Sequence, residues 1–169
     1  MIIFDLDGTI ANCEHRRHFV DHKKSWGSEN PIRQHEMDSG KWKPDWKYFY
    51  EACDKDIPIT PTIKVFTRLE EYNDIPIQIW SGRCESVREK TVEWLRSNGS
   101  YDELACVPLK MRPIGDFTPD EILKERWLDE AISEGENIDF VFDDRPKVIQ
   151  MWKRRGIFVF NCQQDEGEF

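Results

Sequence analysis

Five short apolar runs, each the length of a buried strand, constrain what this chain can fold into more than any other feature. They lie at residues 2–4, 75–80, 105–109, 138–142 and 157–160. Helical patterns fill the intervals between the last four, and strands alternating with helices predict an α/β fold with a parallel sheet covered on both faces. Thr60 and Pro61 open one expected helix, with apolar positions Val65, Phe66, Leu69 and Tyr72 recurring at the spacing of a helix face. A second is expected from about Glu85 to Asn98, stopped by a left-handed Gly99. A third should begin at a capping box from Thr118 to Glu121 with Pro119 at its first position. Pro146 opens a fourth that ends near Gly156.

One stretch breaks this rhythm. Residues 11–57 are charged and rich in aromatics, and they stand between the first strand and the first core helix. They read as a small helical cap inserted after strand 1, leaving residues 1–10 and 58–169 as the catalytic core. A chain of 169 residues holds one such core and not two. Within the insertion, Trp46, Phe49, Tyr50 and Cys53 form an amphipathic stripe after Pro44.

Composition narrows the function classes. A formal net charge of −9 and a pI near 5.0 argue against a broad grip on a nucleic-acid backbone, which needs a surplus of Lys and Arg on the binding face. Any phosphate must therefore be held by a local positive cluster. Cys13, Cys53, Cys84, Cys106 and Cys162 are odd in number and include no C-x-x-C pair, so reduced thiols are expected in place of a zinc knuckle or a disulfide framework. The start of the chain lacks the pattern of a secretory signal and no run reaches membrane-spanning length, so a cytoplasmic protein with no membrane partner is expected. No protein partner is evident.

The chemistry concentrates at the ends of the expected strands. Asp5-Leu6-Asp7-Gly8-Thr9 follows the first: two carboxylates can be presented at the carboxyl edge of the sheet, one to attack and one to shuttle a proton, while Gly8 permits a sharp turn. Alone, this would be an ordinary Asp-Gly turn. Ser81-Gly82-Arg83 follows the second strand with a hydroxyl, a permissive backbone and a guanidinium suited to phosphate oxygens. Arg112, Asp120 and Lys124 follow the third, and Asp143 with Asp144, next to Arg145, follows the fourth as a candidate divalent-cation site. Each is unremarkable singly. Their joint occurrence at four strand ends is hard to obtain from turns and caps.

In that order, Asp5 to Thr9, Ser81, Lys124 and Asp143-Asp144 resemble the four motifs of the haloacid dehalogenase superfamily, whose core is a Rossmann-like parallel sheet flanked by helices. More narrowly, residues 80–83, 111–124 and 142–152 resemble the 3′-phosphatase domain of polynucleotide kinase-phosphatase. The insertion is longer than expected for that domain, and no G-x-x-x-x-G-K-[ST] loop of a kinase half is present.

The resemblance implies a Mg²⁺-dependent phosphomonoester hydrolase acting through an aspartyl-phosphate on Asp5. Its substrate would be the 3′-phosphate of a nucleic-acid end or nucleotide. Asp7 would protonate the leaving oxygen and then activate water, which calls for a pKa above the ~3.9 of a free Asp. Lys124, Arg83, Ser81, Gly82, Arg112, Arg145 and the backbone around Thr9 would bind phosphate, with Asp120 and Asp144 organising. Asp5, the Asp7 carbonyl and Asp143 would hold Mg²⁺, with Asp144 at one remove or on a bound water.

Alternatives from the same residues are a 5′-nucleotidase, a receiver-like domain phosphorylated as a switch, and a non-catalytic adaptor. The receiver reading is disfavoured by Asp7, since an acid at that position promotes hydrolysis. His15, Arg16, Arg17, His18, His22, Lys23 and Lys24 form a basic patch that would either lie on a solvated helix face or hold the body of a nucleotide, with Arg16 and Arg17 foremost. A His-based zinc site there lacks a marked fourth ligand. Of Trp26, Trp42, Trp46, Tyr48 and Phe49, most are expected in the packing of the insertion, with stacking on a base as the alternative.

Overall fold

β1 (Ile2–Phe4) is too short to stand alone, and it is buried on both faces because it runs up the middle of the sheet. The computed structural model describes residues 1–25, 31–72, 75–99 and 103–163. After β1 come β2 (Ala11–Asn12), α1 (His22–Ser25), α2 (Pro31–Asp38), α3 (Trp46–Glu51) and β3 (Ile57–Pro58). Then follow α4 (Thr60–Tyr72), β4 (Ile77–Cys84), α5 (Arg88–Asn98), α6 (Glu103–Cys106), β5 (Leu109–Arg112), α7 (Asp120–Ser133), β6 (Phe140–Asp143), α8 (Pro146–Arg154) and β7 (Phe158–Asn161).

The sheet is parallel throughout, in the order β5-β4-β1-β6-β7. Side chains of a strand alternate between its faces, so three consecutive apolar residues serve two cores at once. Ile3 packs with Trp80, Leu123, Trp127, Val148 and Trp152 under α7 and α8. Ile2 and Phe4 pack with Phe66, Trp94, Leu95 and Leu104 under α4, α5 and α6. Phe4 stacks on Phe142 at 4.2 Å and meets Phe66 edge-on at 5.0 Å. The chain between β1 and α4 is stapled at its base, where β2 pairs antiparallel with β3, and carries α1, α2 and α3.

Several local expectations shift. Residues 105–109 are not a strand: 103–106 form α6, and pairing begins where the Pro108 carbonyl accepts from the Ile79 N–H at 2.9 Å. A short apolar run satisfies a buried helix or a buried strand equally, and its length does not arbitrate. β4 continues through Ser81, Gly82 and Arg83, so these residues lie in the strand and not in a turn after it. On α4 the buried positions are Ile63 and Phe66, whereas Val65 is 43% exposed. Gly99 has φ −84 and ends α5 in extended backbone, not left-handed. No capping box forms at α7, because Pro119 occupies the cap position and the Thr118 N–H donates to Asp116 Oδ1 at 2.8 Å. The side chains of Lys24 and Tyr72, and Trp26 altogether, lie outside the described residues.

Candidate active site

β1 delivers Asp5 to the carboxyl edge, where the Asp5 N–H donates to the Phe142 carbonyl at 2.9 Å. The chain then turns sharply over the Leu6 carbonyl, which accepts from Thr9, Ile10 and Ala11. Gly8 makes this possible at φ +90, and a Cβ there would lie 1.9 Å from Asp144 Oδ2. The close approach that places Asp144 beside the turn therefore requires glycine. Because the N–H groups of Gly8 and Thr9 donate to Ala11 and Leu6, they are committed within the turn.

Lys124 rises from the first turns of α7 into this edge. Its Nζ donates to Asp5 Oδ1 at 2.6 Å and to Asp143 Oδ2 at 2.8 Å, and all three side chains are buried. Asp143 is held further by Trp152 Nε1 at 3.3 Å and by the Arg145 N–H at 3.1 Å. One oxygen each from Asp5, Asp143 and Asp144 falls within 4.8 Å of the others. Burial pushes the Asp5 carboxyl well above the usual range, with Asp143 and Asp144 adding to the rise and Lys124 opposing it. Burial and the neighbouring Asp143 push Asp144 up to about 7. An oxygen-only cluster whose members resist ionising together suits a hard divalent cation, so the residues fit the Mg²⁺ that the resemblance implies.

Asp7 differs from expectation. Burial favours its neutral form, but Arg16 and Arg83 outweigh it and hold the carboxyl at about 2. Asp7 Oδ1 accepts from Arg16 Nη2 at 2.6 Å and from Arg83 Nε and Nη2 at 2.9 and 2.6 Å. The two guanidiniums are fully buried and share a second carboxylate, Asp56, at 2.7 and 2.5 Å. His15 Nε2 also meets Asp56, at 2.9 Å. Arg16 is thus not on a solvated face and does not reach outward to a nucleotide, and Arg83 is engaged by carboxylates. Arg17 lies against Glu14 at 3.2 Å, away from the cleft. Asp56 was not singled out in the sequence, which gives no sign that Arg16 and Arg83 are buried together.

A second ion-pair bracket borders the cleft. Asp120, at the start of α7, pairs with both Arg112 and Arg145. Arg112 Nε donates to the Gly82 carbonyl at 2.9 Å, and a Cβ on Gly82 would lie 2.7 Å from Asp120 Oδ1. Gly82 is therefore where the β4 backbone lets this ion pair approach. Ser81 is buried and its Oγ accepts from the Arg83 N–H at 3.2 Å, while Thr9, within the turn, is buried too. The cleft, about 520 Å³, has Asp5, Asp7 and Lys124 on its floor and Gly82, Arg112 and Arg145 along one side. Trp46, Phe49 and Tyr50 of α3 also line it, as its aromatic wall. Trp42 lies elsewhere, edge-on to His22 at 5.1 Å, and Tyr48 is stacked with Phe19 at 5.9 Å.

Residues 43–169 match the family described as the polynucleotide kinase PNKP phosphatase domain. The chain belongs to this family. It is accordingly a phosphatase of the haloacid dehalogenase superfamily, and the switch and adaptor readings fall away. A protein of Autographa californica nuclear polyhedrosis virus, provisionally named a bifunctional polynucleotide kinase/RNA ligase, is 34% identical over 102 residues. The match covers 60% of this chain and 14% of that protein. Among solved structures, the Pnkp1/Rnl/Hen1 RNA repair complex contains a chain with the same fold, at TM-score 0.68 and 22% identity, covering 98% of this chain and 43% of that one. A haloacid dehalogenase-like family protein from Streptococcus pneumoniae aligns at TM-score 0.56 and 14% identity, over 95% and 82% of the two chains. The chain thus spans less than half the length of the first two. Among the described residues, no helix is long and apolar enough to cross a membrane, and the cysteines of the described residues are free.

Proposed function

We propose that this phosphatase is a Mg²⁺-dependent phosphomonoesterase that removes the 3′-phosphate from nucleic-acid ends through an aspartyl-phosphate on Asp5. The observation that carries the reading is the 2.6 Å contact of Lys124 Nζ with Asp5 Oδ1 on the floor of the cleft. It fixes one oxygen of a buried carboxylate and leaves the side chain facing the space a phosphoryl group would enter.

Asp5 attacks phosphorus in line, forming the acyl-phosphate bond as the bond to the leaving oxygen breaks. Asp7 supplies the proton to that oxygen. Arg16 and Arg83 hold Asp7 as a carboxylate in the resting site, so the proton it gives is one taken up with the substrate, from a phosphate monoanion or from solvent, as the negative charge of the phosphoryl group opposes the arginine pair. In the second step water attacks phosphorus, Asp7 takes its proton, and phosphate leaves with Asp5 restored. Here the ionised form that the arginines favour is the one required. Lys124 offers fixed positive charge to the phosphoryl oxygens, with Arg112 and Arg145 at the rim. A divalent cation on Asp5, Asp143 and Asp144 would supply the charge neutralisation that lets a carboxylate meet a phosphoryl group.

The 3′ assignment is supported by the family and by the RNA repair complex in which a structural neighbour is found. A panel of 3′- and 5′-phosphorylated nucleotides and oligonucleotides, with and without chelator, tests it. Chelator-sensitive release from 3′-phosphorylated oligonucleotides is expected; exclusive cleavage of 5′-monophosphates would replace the substrate assignment with a 5′-nucleotidase.

A further inference from the structure

Phe117 is the most exposed large apolar side chain among the described residues, at 86%, yet its loop is firmly braced. Arg112 Nη1 donates to the carbonyls on either side of it, Asp116 O at 3.3 Å and Thr118 O at 2.5 Å. Asp116 accepts from the Thr118 N–H and pairs with Arg126 at 2.6 Å. Gly115 supplies the turn at φ +81. A loop held this tightly presents the ring to water by construction, forgoing the burial that an apolar ring of this size gains in a core.

A second partly exposed aromatic lines the same cleft. Trp46 is 38% exposed, and its ring is backed by Phe49 edge-on at 5.7 Å and by Tyr50 at 5.9 Å. The helix that carries it is tied to β4 by Tyr50 Oη, which donates to the Gly82 carbonyl at 3.3 Å. Phe117 and Trp46 both line the cleft whose floor holds Asp5 and Lys124. Flat π-faces near a phosphate-handling floor suit a nucleobase, because every base has a face and stacking is tolerant of sequence. The net charge of −9 makes stacking the more available source of affinity, since a backbone grip needs a cationic surface.

We propose that Phe117 and Trp46 form a base-stacking clamp that takes the unpaired base of the nucleotide carrying the terminal phosphate. This rests on the nucleic-acid reading above and deepens it: the clamp selects single-stranded or frayed ends, because a base held inside a duplex offers no free face.

The test uses matched oligonucleotides with a terminal phosphate, prepared as 3′ and 5′ series, whose last nucleotide either carries a base or is abasic. The wild-type chain is expected to favour the base-bearing strand in kcat/KM by about tenfold or more. Phe117→Ala should collapse that ratio, chiefly through KM, and Phe117→Tyr should restore it. Trp46→Leu, which keeps apolar volume against Phe49, should lower the ratio as well. Hydrolysis of both strands with no base preference, or a preference that survives Phe117→Ala, overturns the clamp and leaves the phosphatase assignment standing. A ratio unchanged in Trp46→Leu refutes the two-sided clamp. Absence of hydrolysis on every nucleic-acid end overturns the nucleic-acid reading, and the clamp with it.

Discussion

On the floor of the cleft, Asp5 from the end of β1 and Lys124 from α7 are locked in place through charge, together with the buried Asp143 of β6. In the wall, Trp46, Phe49 and Tyr50 come from one short helix between β2 and β3 and pack ring against ring. The floor is set by the sheet, so its geometry is inherited from parallel strands whose register is fixed by a two-sided core. The wall hangs from a two-residue ribbon and is joined to the floor by Arg16, which crosses from the segment between β1 and α4 to Asp7 while its guanidinium lies 4.1 Å over the Phe49 ring.

Breaking the floor should have the largest effect. Asp5→Asn is expected to lower turnover by at least about four orders of magnitude with the circular-dichroism spectrum unchanged, since an amide cannot form the acyl-phosphate. Full activity in the purified variant would contradict the assignment. Lys124→Ala should cost about 10²–10³-fold in kcat, the scale of losing one fixed charge-stabilising group in a dry site.

The joint between floor and wall comes next. Asp56→Ala removes the second carboxylate from two buried guanidiniums, and breaking a buried ion pair on one side costs about 3–5 kcal/mol. For a chain of this size that lowers Tm by roughly 10 °C, read by thermal denaturation. A change of only a degree or two would show that the Arg16–Arg83–Asp56 network does not fasten the segment between β1 and α4 to the sheet.

The cation site should reveal itself through pH. Asp144 is pushed up to about 7, above the ~3.9 of an unfolded chain, so in that interval the folded protein binds the extra proton. Stability contributed by this group is therefore lost as pH rises through about 7. A cation binding the ionised cluster offsets that loss, so added Mg²⁺ should raise Tm more at about pH 8 than at about pH 5.5. Equal increments at both would place the cation elsewhere. The smallest effect belongs to the outer side of the wall: Tyr48 is 56% exposed and does not line the cleft. Tyr48→Ala should change stability by about 0.5 kcal/mol or less and leave turnover as it is.

The two regions were also unequally legible in the sequence. Asp5, Ser81 and Asp143 follow or end short apolar runs, and a parallel sheet brings such positions to one edge whatever the details of its loops. Strand ends thus located most of the floor without any knowledge of contacts. Arg16 was read as part of a basic patch because a run of cations looks solvated until its partners are known, and those partners, Asp7 and Asp56, are local and distant respectively. The sign of the Asp7 shift was misjudged for the same reason: it is set by two guanidiniums, one of them 76 residues away. Phe117 gave no signal at all. A single phenylalanine in a loop has no periodicity, and only its exposure on a braced turn sets it apart.

The most direct measurement is on the covalent step. The Asp7→Asn variant, incubated with Mg²⁺ and a labelled aryl phosphate whose leaving group needs no proton, then acid-quenched, should retain the phosphoryl group on the peptide containing Asp5, because water has lost the base that releases it. Recovery of a hydroxylamine-labile phosphoryl adduct at Asp5 is the expected result. A variant that turns over substrate with no phosphoryl group ever found on Asp5 would contradict the account.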